Sequence, residues 1–434
     1  MMQSTQFFIL FILIIGYSNG ISFRKVAELP DGGIEKALAF DTDHDGYQNL
    51  LYSGDSCVYI WEYSPYDYYF LETTAKLSWI YDIGYLDNDS LVDMTGSLES
   101  IYPYPLYVYE SPTYYSNPTN IVWQDSGFMN IYGVYITDLD QDGLKEILFG
   151  YTSMDPLGWY TCVYENIADN QYAPVWQDTI RSLAYCVHND FDLDGKTEFI
   201  IPDRLHVWEC FGNDSYQLVY VDTLSQSNYI FSAHGHDMDG NGKPEFLLPC
   251  VSYLYFDAWL YLYEAVSDNN YVRFLIDSLT NLPFDIAWHE SECGDIDGDG
   301  QYEIIWSTFN QWHIYKAIGI HQYQKIYSSI WTSRSSTLIA VYDLNGNGYQ
   351  EVIESWYQNS MPPQYGTTIW EIQGVKILQP NYGYILHPGE DYQIIWQKFD
   401  PPGADSFALF FSSDNGNTYD TIAMGIPGND TTYQ

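Results

Sequence analysis

An all-β fold is predicted by three observations. One acidic loop recurs seven times, short aromatic and β-branched strands surround each copy, and a strand without an evident partner stands near the N-terminus. A seven-bladed β-propeller closed by that N-terminal strand satisfies all three, with a partial C-terminal β-sandwich behind it.

The loop is clearest in GDIDGDGQYEIIW, from Gly294 to Trp306, which offers Asp295, Asp297, Asp299 and Glu303. FDTDHDGYQNLLY offers Asp41, Asp43, Asp45 and Asn49. The worn copy YLDNDSLVDM has Tyr85 in the first place and Ser90 in the glycine place, and keeps Asp87, Asp89 and Asp93. TDLDQDGLKEILF supplies Asp138, Asp140, Asp142 and Glu146, and NDFDLDGKTEFII supplies Asp190, Asp192, Asp194 and Glu198. HDMDGNGKPEFLL supplies Asp237, Asp239, Asn241 and Glu245; YDLNGNGYQEVIE supplies Asp343, Asn345, Asn347 and Glu351. Successive copies begin 44 to 58 residues apart, the period of one supersecondary unit per repeat.

Each unit carries the same strand pattern. In the third, IYGVYIT precedes the loop, KEILFGYT follows it, and WYTCVYE and YAPVWQDT come next. Copies of the third strand read CVYIWEY, LYVYE, LHVWE, LYLYE, WHIYK and TTIWE. Short runs of Tyr, Val, Ile and Trp bounded by Gly, Asp and Asn are hairpin strands. Four per unit describe a propeller blade. The seventh unit lacks a fourth strand, and the orphan FRKVAEL matches one, so the two are expected to pair beside Thr367–Gln373.

Carboxylates at alternate positions, a glycine for the sharp turn, a carbonyl and a closing acid are the oxygen ligands of a calcium loop. Two charges ~4 Å apart repel by ~1 kcal/mol in water and ~4 kcal/mol at an effective dielectric of about 20. A hard dication removes that penalty. An Asp/Asn/Gly turn alone uses one or two such residues, not a ninth-position acid in six copies of seven. In an EF-hand the last acid stands at position twelve and a helix follows; here it stands at nine and a strand follows. Up to seven structural Ca2+ sites are therefore expected. Magnesium, with its stricter octahedron, suits the loop less well. Counting carboxylates ranks the loops at Asp138, Asp190 and Asp295 strongest, with those at Tyr85 and Asp343 emptying first.

These D-x-D-x-[DN]-G-x-x-E loops resemble the FG-GAP/VCBS repeat family over about residues 22–373. The resemblance implies the seven-bladed propeller of integrin α-subunit N-terminal regions. It also implies structural metal sites in the hairpin between the first two strands of each blade.

The chain opens on an apolar run, Phe7 to Ile15, followed by Ser18, Asn19 and Gly20, which predicts a signal peptide over residues 1–20 and a secreted or cell-surface protein. No other stretch is long and apolar enough to span a bilayer, so no membrane span is expected after cleavage. The propeller then covers 21–373. Residues 374–434, with Trp396 and an SSDNGNTY turn, resemble the start of an immunoglobulin- or fibronectin-like sandwich, about sixty residues against roughly 100 for a full domain.

A formal charge of −43, from 58 acidic and 15 basic residues, excludes nucleic acid as a partner. With 18% aromatic and 46% hydrophobic residues the chain has too much to bury to be disordered. Its six cysteines are scattered without a CxxC pair, leaving buried thiols and disulfides both open. His188, His234, His236 and His289 fall on or beside the innermost strands, at offsets that do not require them to converge. No nucleophile elbow, phosphate loop or spare acid/base pair is present, and no catalytic residue is assigned. The expected role is a calcium-binding module for adhesion or scaffolding, with an extracellular protein or glycan as partner. The alternative is a carbohydrate-active enzyme of polysaccharide lyase type.

Overall fold

The computed structural model describes residues 11–14, 22–30, 37–54, 57–64, 68–98, 104–154, 157–180, 187–201, 205–224, 229–230, 234–252, 257–280, 291–308, 311–329, 335–346, 348–358, 360, 364–379, 391–399, 406–412, 420–427 and 432–433. Their regular elements are all strands, and among the described residues no helix is long and apolar enough to cross a membrane. The chain divides into two compact units, Lys25–Trp370 and Met1–Arg24 with Glu371–Gln434.

In the larger unit each acidic loop joins the first two strands of an antiparallel meander. Repeat 1 runs Ala37–Phe40, Asn49–Ser53, Val58–Ser64 and Tyr68–Ala75. Repeats 4 and 6 are four-stranded in the same order. Repeats 2 and 3 share one sheet, because Asn120–Thr137 serves as the fourth strand of one and the first of the other. In every repeat the second strand starts on the closing residue of the loop: Asn49, Asp93, Glu146, Glu198, Glu245, Glu303 and Glu351.

Burial grades across each sheet. The second strands Asn49–Ser53, Glu198–Ile201, Glu245–Ser252 and Glu303–Thr308 are buried at every residue, which explains their unbroken apolar runs. Val58–Ser64 alternates buried and half-buried, the period of a strand. Fourth strands such as Tyr216–Val221 and Gln322–Ser328 are largely exposed. Separate apolar clusters join successive repeats. One unites Leu51 and Ile60 of repeat 1 with Met94 and Tyr109 of repeat 2. Others link repeats 2 and 3, 3 and 4, 4 and 5, and 5 and 6. A further cluster holds Ala37 and Leu50 of repeat 1 with Ala340, Ile353 and Ile369 of repeat 7. Burying one such Leu or Ile is worth ~1.5–3 kcal/mol, so each seam adds several side chains of that size. The N-terminal strand Ser22–Pro30 pairs with Gln364–Gln379, as FRKVAEL and TTIWEIQ predict. This larger unit is all-β and β-propeller-like.

In the smaller unit Ile394–Phe399 pairs with Gln364–Gln379 and Thr432–Tyr433, while Ser406–Ser412 lies between Phe11–Ile14 and Asp420–Pro427. Ile394, Trp396, Leu409 and Ile426 form its core. Arg24 donates to Glu371 at 2.8 Å. Cys57, Cys162, Cys210 and Cys293 are thiols, the last three buried; Cys186 lies outside the described residues.

Candidate metal centres

The loop backbone turns at its sixth position in every copy. The glycine position has φ between 85° and 95° in six repeats, a region that suits glycine, and Ser90 adopts φ 72° at that place in the second. The first aspartate braces this turn. Asp295 accepts Asp299 N–H and Gly300 N–H at 2.8 Å each, and Asp190 does the same with Asp194 and Gly195. The fifth-position oxygen takes the N–H two residues on, as Asp142 does from Leu144 at 2.8 Å. Beneath the loop the second residue (Thr42, Leu86, Leu139, Phe191, Met238, Ile296 or Leu344) is buried. Its N–H donates to one oxygen of the closing residue in all seven repeats, at 2.5 to 3.1 Å. Much of the acid pattern therefore serves the hairpin itself.

The remaining oxygens converge. Asp138, Asp140, Asp142 and Glu146 each place one ligand atom within 4.8 Å of the others, and so do Asp190, Asp192, Asp194 and Glu198. Asp41, Asp43 and Asp45 form a third such group. Two further groups recruit residues that the loop motif does not contain: Asp87 and Asp89 with Glu110 and Asp169, and Asp239 and Glu245 with Glu264 and His321. Asn347 lies outside the described residues.

These recruits follow a rule. The residue across the ladder from the closing position is Glu62, Glu110, Glu165, Glu209 and Glu264 in the first five repeats. In the sixth it is Lys316, one step beyond the Ile304–Tyr315 pair. The tip of the last hairpin in the next repeat then reaches the third-position aspartate. Asn170 N–H donates to Asp87, Asp214 N–H to Asp140, Asn269 N–H to Asp192 and His321 N–H to Asp239, at 2.6 to 2.9 Å. All four tips hold the left-handed conformation, with φ of 53° to 55°.

Lys316 marks where a cation sits. Its Nζ donates to Asp297 Oδ2 at 2.9 Å, Asp299 Oδ2 at 2.8 Å and Glu303 Oε1 at 2.5 Å. In repeats 2 to 5 the equivalent closing oxygen (Asp93 Oδ1, Glu146 Oε1, Glu198 Oε1 or Glu245 Oε1) is buried without a hydrogen-bond partner. Burial pushes these four carboxyls up to about 8, each against the pull of one backbone N–H. Glu303 rises to about 7, through burial and Asp297, with Lys316 opposing. Glu62 and Glu165 also rise to about 7, through burial and then neighbouring acids. Near neutral pH such groups keep protons unless a cation compensates them. The donors are carboxylate oxygens, which suits a hard dication. The seventh loop differs, because Asn345 donates its amide to Glu351 Oε1. In the first, Asn49 donates to Glu72 Oε2 at 2.9 Å.

His188 and His236 line a cavity of about 630 Å³ together with Tyr135, Thr137, Lys145 and Asn189. His188 Nδ1 lies 3.3 Å from Thr137 Oγ1, and burial lowers its pKa. The His236 ring stacks on Tyr302 at 4.6 Å. His289 and the side chain of His234 lie outside the described residues.

No family model and no curated protein matches the sequence. Among solved structures the chain is similar to BBS1N, determined in complex with ARL6DN and soaked with mercury. That match has a TM-score of 0.50 at 10% identity and covers 81% of this chain and 96% of that one. It is also similar to an Agrocybe aegerita lectin that recognises non-reducing terminal N-acetylglucosamine (TM-score 0.47, 12% identity, 78% and 99% covered). A hypothetical selenium-binding protein of Sulfolobus tokodaii matches at TM-score 0.47 and 9% identity, covering 78% and 92%. At these identities the first likeness speaks to fold alone, and it agrees with an all-β, β-propeller-like chain.

Proposed function

We propose that this chain is an exported, calcium-stabilised seven-bladed β-propeller of FG-GAP/VCBS type that presents a binding surface to an extracellular protein or glycan, with a sandwich module behind it. The observation that carries the calcium reading is the set of buried, unpartnered closing oxygens in repeats 2 to 5, at the place where repeat 6 has an ammonium. Closure of the ring is supported by the cluster shared between repeats 1 and 7 and by the pairing of the N-terminal strand. The third-, fifth- and ninth-position carboxylates would hold the ion, which supplies charge compensation rather than chemistry. At ~1 mM calcium and a dissociation constant of ~10⁻⁴ M, one site adds ~1.4 kcal/mol by mass action. Calorimetry with and without chelator tests this. A large fall in Tm on chelation is expected, and an unchanged Tm after verified metal removal would falsify it. A binding array of glycans and extracellular proteins tests the second half.

A further inference from the structure

The third and sixth loops have matching acid patterns, Asp138, Asp140, Asp142 and Glu146 against Asp295, Asp297, Asp299 and Glu303. What faces them differs. In repeat 3 the ladder places Glu165 opposite Glu146. Asp138 Oδ1, Glu146 Oε1 and Glu165 Oε2 are all buried there without a partner, and Glu146 is 0% exposed. In repeat 6 the corresponding residue is Lys316, whose ammonium engages the third, fifth and ninth positions together. Its side chain is only 22% exposed, so the ammonium is confined to that seat.

We propose that Lys316 is a built-in counter-ion that keeps the sixth loop free of metal, whereas the equivalent seat in the third loop takes a dication. The proposal rests on the calcium reading above. A dication entering the sixth loop would meet an ammonium that already holds three of its ligand oxygens. It would have to expel that ammonium from a largely buried position. Among the described residues no cation pairs with the third loop's carboxylates, and Glu165 adds a further carboxylate. Repeats 4 and 5 are intermediate. Lys196 pairs with Asp194 and Glu209, and Lys243 with Glu264, but neither reaches the closing acid. In the seventh repeat Glu371, one step beyond the Val352–Trp370 pair, takes Arg24.

The test is native mass spectrometry of the full chain in calcium, counting bound ions in the wild type, K316E and E165K. K316E is expected to hold one ion more than the wild type and E165K one fewer. Tm in chelator should drop for K316E and recover in calcium. A folded K316E with an unchanged count overturns the proposal. If K316E does not fold even in calcium, E165K decides: loss of one ion supports the proposal and an unchanged count overturns it. A wild type that binds no calcium overturns the underlying reading and this proposal together, an outcome distinct from calcium binding that ignores Lys316.

Discussion

Repeats 3 and 6 present the same loop on the same hairpin and solve its electrostatics in different ways. TDLDQDGLKE lies opposite a glutamate and leaves buried carboxylate oxygens without partners. GDIDGDGQYE lies beside a lysine that satisfies three of them. The lesson is that one acid pattern can face opposite charges. The sign it faces is set thirteen or more residues away, on the third strand of the same sheet.

Truncating that third-strand residue in both repeats should give the largest contrast. Lys316→Met leaves the buried Asp297 and Glu303 and the more exposed Asp299 without compensation, and removing one partner of a buried ion pair costs ~3 kcal/mol or more. Glu165→Met in chelator should be neutral or stabilising, because it removes a like charge. Urea denaturation of both variants in chelator is the check; equal destabilisation would dissolve the comparison.

Repeat 6 also holds a buried histidine that titrates independently of its loop. His313 bonds to Ser328 Oγ at 2.8 Å. Burial, aided by Lys325 and opposed by Asp277, lowers its pKa from 6.5 to about 4. Between those values the unfolded chain binds more protons than the folded one, so stability falls as pH drops. By pH 5 the loss is ~2 kcal/mol. In saturating calcium, His313→Gln should flatten the Tm profile over that window, and an identical slope in wild type and variant would exclude this histidine as its source.

The smallest effect belongs to the worn second loop. Ser90 keeps the backbone path of its glycine counterparts at φ 72°. Ser90→Gly should raise stability by ~1 kcal/mol, the order of cost for such a conformation, with bound calcium unchanged. A lower Tm would mean that the hydroxyl contributes more than the strain costs.

How much of this is legible in the sequence depends on distance along the chain. The loop period places every hairpin, and the closing residues Asn49, Asp93, Glu146, Glu198, Glu245, Glu303 and Glu351 begin their strands as the spacing requires. The N-terminal strand pairs with Gln364–Gln379, the last strand read in the seventh unit, as the missing fourth strand there predicts. The carboxylate count, however, ranks the Asp295 loop among the strongest metal sites. It misses the lysine that fills the loop. The signal was present in the third strands, where CVYIWEY, LYVYE and LHVWE carry E after an aromatic residue and WHIYK carries K. Its meaning emerges only from the ladder register. Asn170, Asp214, Asn269 and His321 were harder still, since each belongs to the repeat after the loop it touches.

Those hairpin tips carry a consequence for the order of assembly. Each loop from the second to the fifth is capped by an N–H from a repeat that follows it in the chain. During synthesis an acidic loop therefore leaves the ribosome before the residue that completes it. It waits, half-braced, until 74 to 83 more residues have been added, the shortest span being Asp140 to Asp214 and the longest Asp87 to Asn170. Construction is vectorial. A nascent repeat is finished by its successor, and a chain stalled partway exposes one incomplete loop at its growing edge rather than a failure spread over all of them.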